Sequence, residues 1–248
     1  MIKFFRHIRQ RLLTENKFSK YLLYAIGEIA LVMIGILLAL QVNDWNENRF
    51  RRDLEKSTLK EIKESLDFDI TMLQDQVETQ THYWKQIERL IQELKSNKEP
   101  SESIENLLIY PVRENIVNLN SSAFELLENR GIDLISNQSL KKEIVKHFKY
   151  DQQDIIDRSK VWGEILLEFG RFFDALLDPI IDNELKTNYV LGAEKFKALD
   201  YSGFRSNELV VAKLKYRIHR KIREIALLEE FIKEKESLRN MISEVLKE

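Results

Sequence analysis

The chain has 248 residues, 44% hydrophobic and 32% charged, with a net charge of −2 and no cysteine, so disulfides and thiolate chemistry are excluded. Only 3 Pro and 7 Gly punctuate it, with none between Gly35 and Pro100 or after Gly203, and the regular apolar spacing in those stretches favours long helices. The near-neutral balance hides an asymmetry. Residues 1–20 carry Lys3, Arg6, Arg9, Arg11, Lys17 and Lys20 against Glu15, a net +5, which leaves −7 for the remainder.

The first segment, residues 1–20, begins "MIKFFRHIRQRLL". Phe4, Phe5, Ile8 and Leu12 recur at helical spacing, and bases take most of the other positions. That pattern predicts a basic amphipathic helix on an anionic leaflet; the plainer reading is a positive stretch that only sets topology.

Residues 21–43 follow as an expected transmembrane helix. From Leu22 to Val42 there are 21 residues with one charge, Glu28. As a helix they reach ~31 Å, against a bilayer core of ~30 Å. Tyr21 and Tyr24 at one end and Trp45 just past the other are placed as interface anchors. The run exceeds a signal-peptide core of roughly 7–15 residues, and "LLALQVND" offers no small-x-small cleavage pattern, so an uncleaved signal anchor is expected. Six bases precede the span, and five follow it (Arg49, Arg51, Arg52, Lys56, Lys60). The latter begin only at Arg49 and alternate with acids, so the amino end is expected in the cytoplasm and the larger part outside it.

Glu28 lies ~9 Å inside the span. At about 100° per residue it shares one stripe with Ala25, Val32, Gly35 and Ala39. Such a stripe lets another helix approach closely while the acid hydrogen-bonds across the contact. A proton- or ion-handling role beside a partner's pathway, or a neutral residue facing lipid, are the other readings.

Beyond the span, residues 44–248 read as a helical domain. Leu59, Ile62, Leu66, Ile70, Leu73, Val77, Trp84, Ile87, Ile91 and Leu94 follow alternating steps of three and four, a coiled-coil-like stripe ending at "SNKEPSES". Residues 101–120 read as a short helix and a loop. Ser121 or Ser122 begins a helix with Glu125 placed for a capping box, and Gly131 ends it. A helix from Ser136 or Asn137 carries Ile144, Phe148, Ile155, Phe169 and Phe173 and breaks at Asp178-Pro179. Residues 186–205 are the longest irregular stretch, and Ser206 opens a last helix with Leu214, Ile218, Leu228, Ile232, Leu238 and Ile242 inward. The expected fold class is all-α: an N-terminal transmembrane helix followed by an elongated antiparallel helical bundle with a coiled-coil-like stalk.

"ENKFSKYLLYAIGEIALVMIGILLALQVNDWNENR" (Glu15–Arg49) closely resembles the amino-terminal signature of a widespread, functionally uncharacterised family of small single-span membrane proteins from Gram-negative bacteria, and "SSAFELLENRGIDLISNQSL" resembles its second block. The resemblance implies an inner-membrane anchor carrying a helical periplasmic domain. It brings no activity and no residue roles.

Chemistry is sparse. Glu78/His82 and Glu143/His147 are each four apart, whereas di-iron bundles use an offset of three repeated on two helices, and no His-Glu-x-x-His occurs. His147, Asp151 and Asp154 form the best polar cluster, read as a solvated face before a weak cation site. No phosphate-cradling Gly-rich loop and no Gly-x-Ser-x-Gly is present, so no catalytic, cofactor or metal residues are assigned. Six bases from Lys213 to Arg223 are expected to face Asp75, Glu78, Glu88 and Glu93 of an antiparallel neighbour rather than nucleic acid. Trp84 and Trp162 are expected in the core.

The function so predicted is a non-enzymatic, membrane-anchored accessory or scaffold protein. Its partners are the lipid bilayer and another membrane protein or a second copy of itself, with no small-molecule substrate identified. A periplasmic ligand-sensing input module is the alternative, and a membrane-tethered enzyme without a recognised motif the third.

Overall fold

The computed structural model describes residues 18–96, 99, 101–113, 117–180 and 195–247. The expectation of an amphipathic helix at the amino end therefore lies outside the described residues. The protein is predominantly helical, with a single pair of short strands among the described residues. By packing, it divides into residues 1–56 and residues 57–248.

Helix α1 runs Phe18–Lys95. The apolar span and the charged stripe lie on one uninterrupted helix, because the sequence between them has no proline or glycine. In the first unit, its most apolar 18-residue window has a mean hydropathy of 2.3 and is 0% buried, so it is long and apolar enough to cross a membrane.

The second unit is built from the rest of α1 and a series of shorter elements. These are α2 (Glu102–Leu107), a 3-10 turn (Tyr110–Val112), α3 (Ser122–Arg130), a 3-10 turn (Ile132–Leu134), α4 (Gln138–Lys146), a π-helical turn (His147–Asp151) and α5 (Gln152–Asp174). Strands β1 (Leu177–Ile180) and β2 (Lys195–Ala198), α6 (Tyr201–Ser206) and α7 (Glu208–Val245) complete it.

Local chemistry explains most of the boundaries. Asn137 Oδ1 accepts from Leu140 N at the start of α4, and Asn207 Oδ1 from Leu209 N at the start of α7. At α3 the expected capping box is not formed. Ser121 Oγ donates to Glu125 Oε1, and Asn120 Oδ1 takes the Ser122 backbone N–H in its place. Gly131 ends α3 at φ +93°, in the left-handed region that glycine enters without strain.

Two strands were missed by periodicity. Leu177↔Ala198 through Ile180↔Lys195 pair antiparallel, so Asp178-Pro179 ends α5 by entering a strand rather than a loop. The stretch read as irregular thus contains β2 and α6.

Among the described residues, three apolar clusters form the core. Leu59, Ile62 and Leu66 of α1 meet Leu238 and Ile242 of α7, with α3 and α4 closing the side. Ile70 and Leu73 meet Leu228, Phe231 and Ile232, with Ile155 and Trp162 of α5. Ile87, Leu90, Ile91 and Leu94 meet Val210 and Leu214, with Phe169, Phe173 and Phe204. As α1 advances, its α7 partners recede in number, so the two segments run in opposite directions. Every stripe residue predicted from Leu59 to Leu94 is inward or half-buried, Trp84 and Val77 being half-buried.

Buried polar side chains fall between these clusters. On α7, Arg217, Lys221 and Glu224 separate the Val210–Leu214 and Leu228–Ile232 groups, and Lys235 separates the latter from Leu238. On α1, Gln80 and Asp69 occupy the matching gaps.

Candidate functional site

Two features stand out: an uncovered apolar helix and a buried charged centre. On α1, Ala25 and Glu28 are half-buried, while Val32, Gly35 and Ala39 are exposed. A Cβ built on Gly27 or Gly35 meets no atom within 4 Å. Val32, Gly35 and Ala39 of the predicted contact stripe are therefore open along the helix. Trp45 is exposed on the same helix, and the side chains of Tyr21 and Tyr24 lie outside the described residues.

The charged centre lies at Lys235. Its Nζ is 2.9 Å from Asp69 Oδ2, 3.2 Å from His147 Nε2 and 3.4 Å from Gln152 Oε1, and all four side chains are buried. The rings of Phe231 and Phe148 stand 4.9 and 5.7 Å from the ammonium, within cation–π range. His147 stacks on Phe231 at 5.3 Å and meets Phe148 edge-on at 5.2 Å. The wide π turn turns both consecutive residues, His147 and Phe148, inward.

Burial first, then Lys235 and Lys146, push the His147 imidazole down to about 3. It is neutral at ordinary pH. With Lys235 donating, Nε2 is the acceptor and the ring proton sits on Nδ1. Burial also lowers Lys235, and the Asp69 carboxylate opposes that shift. A closed centre of this kind holds elements in register; it offers no nucleophile to solvent.

The predicted His147–Asp151–Asp154 face is not one site. His147 turns into the core, Asp151 pairs with Lys146 at 3.1 Å and Asp154 with Arg158 at 2.6 Å. His82 Nε2 lies 3.3 Å from Tyr110 Oη. Among the described residues, no group of three or more His, Asp or Glu converges.

The basic run on α7 is partly internal. Arg217 is buried and donates from Nε to Pro111 O and from Nη2 to Arg113 O, both at 3.1 Å. Lys221 is buried 5.6 Å over the Tyr83 ring and 3.9 Å from Glu224. Spacing pointed to carboxylate partners on an antiparallel neighbour; it gave no sign of backbone carbonyls from the 110–113 turn. Trp162 is in the core, as expected.

Sequence reasoning missed Asp69 and Lys235 altogether. The one available signal was a charge at an inward position of each apolar stripe. No protein-family model, curated protein or solved structure matches this chain.

Proposed function

We propose that this is a single-span protein of the bacterial inner membrane, with its amino end cytoplasmic and residues 44–248 forming an antiparallel helical bundle in the periplasm. It acts as a non-enzymatic accessory or scaffold protein, joining a membrane partner or a second copy through the stripe Ala25, Glu28, Val32, Gly35 and Ala39. The family that residues 15–49 resemble fits the same reading.

The observation that carries it is the wholly unburied apolar window of α1 with one acid set among small residues. Water does not tolerate such a surface, whereas lipid accepts its bulky apolar face and a second helix fits closely against its small residues. Purification in mild detergent of wild type, Gly35→Leu and Glu28→Leu tests the contact. The expected result is a co-purifying membrane protein or self-association in wild type that both substitutions weaken. Unchanged association in both variants rejects the lateral contact.

A further inference from the structure

Towards the start of α7, a pocket of about 360 Å³ opens between that helix and α5. Its lining is mostly apolar, with Ile165 and Phe169 from α5 and Leu209, Ala212 and Tyr216 from α7. Phe169 also packs with Val210 and Leu214, so the floor of the pocket belongs to the core. Leu209 and Tyr216 nevertheless stay 53% and 50% exposed, which leaves an apolar concavity open to solvent.

Each helix adds one charge to the lining: Glu168 from α5, exposed, and Lys213 from α7, half-buried. The two do not pair. Among the described residues Glu168 forms no hydrogen bond or ion pair, and Lys213 has only the Phe172 ring, 5.8 Å from its Nζ. Neither helix supplies a substitute. Arg171, three positions after Glu168, forms no ion pair with it, and α7 carries no acid between Glu208 and Glu224.

These features select among guests. A lone carboxylate is attracted by Lys213 but repelled by Glu168, and a lone amine meets the reverse. An uncharged apolar guest covers the lining while desolvating both charges without compensation. A guest with both charges and an apolar body matches every part of the wall. We propose that this pocket binds an α-amino acid with an apolar side chain. Its carboxylate lies on Lys213, its ammonium on Glu168 and its side chain over Ile165, Phe169 and Leu209. The site lies wholly within residues 57–248 and stands apart from the membrane reading.

The test uses the full chain in mild detergent with leucine as the probe. Isocaproate, which lacks the ammonium, isoamylamine, which lacks the carboxylate, and glycine, which lacks the side chain, form separate arms. Saturation-transfer NMR and thermal shift are read up to roughly 50 mM, since about nine heavy atoms at ordinary efficiency give a Kd of about 10 mM. Leucine is expected to bind saturably and raise Tm, with no saturation by glycine. It should bind about fivefold tighter than either single-charge analogue, the worth of one partly exposed ion pair.

Lys213→Met should weaken leucine by about fivefold without weakening isoamylamine. Glu168→Gln should weaken leucine to the same degree without weakening isocaproate. Absence of saturable leucine binding overturns the proposal, as does equal affinity for leucine and either single-charge analogue. Unchanged leucine affinity in both variants overturns it too, by placing the ligand elsewhere. The analogue comparison is made on wild type, so it decides the matter even where a variant folds poorly.

Discussion

Lys235 Nζ meets Asp69 Oδ2 at 2.9 Å across 166 positions of sequence, with the two side chains 0% and 1% exposed. Removing one partner of such a pair leaves a charge in a low-dielectric core, at a cost of about 3–5 kcal/mol. Asp69→Asn and Lys235→Met should each destabilise by that order in denaturant unfolding. The double variant Asp69→Asn/Lys235→Met should lose much less than the two singles added together. Additive losses would show that the pair is not coupled.

His147 supplies a pH dependence with a definite sign. Its folded-state value is about 3, against 6.5 for a free imidazole. Between those values the unfolded chain holds the extra proton, so stability falls as pH falls from about 6.5 towards about 3. The slope is at most about 1.4 kcal/mol per pH unit from this group. His147→Gln, which keeps an acceptor for Lys235, should flatten the acid limb of a Tm-versus-pH curve. Identical limbs in both proteins would remove His147 from the account.

Arg217 fastens the 110–113 turn through two carbonyls. Arg217→Met leaves those oxygens without their donors, at roughly 1–3 kcal/mol. Hydrogen exchange should rise around residues 104–113 more than along α3 or α4. A uniform rise would mean that the anchor is global rather than local.

The span itself is tested by charge. Ile34→Lys places a cation mid-helix, at about 2.5–3.5 kcal/mol for insertion. The carbonate-resistant fraction should fall sharply relative to wild type. A fusion at Glu248 of a reporter active only in the cytoplasm should be silent, and activity there would reverse the proposed orientation.

How much could be read in advance depended on the range of the interaction. The stripe from Leu59 to Leu94 and the inward set on α7 were legible because helical periodicity repeats every few residues. The apolar window of α1 was legible as an unbroken apolar run of membrane-spanning length. The β1–β2 hairpin was not: its strands are four residues each, Pro179 sits in one, and the pairing joins Leu177 to Ala198. Nor was the Asn120 cap, since Ser121 and Glu125 carry the more familiar pattern and chose each other.

The sequence by itself determined the helical character, the uncovered hydrophobic run with Glu28 in its small-residue stripe, and the inward faces of the two long helices. Each follows from local spacing, which needs no partner to be read. Only the tertiary structure decided that Asp69, His147, Gln152 and Lys235 share one buried centre and that Arg217 turns to backbone carbonyls. Those outcomes depend on which turn of α7 stands opposite which turn of α1 and α5. Packing of the apolar clusters settles that register, and no single stretch of chain contains it.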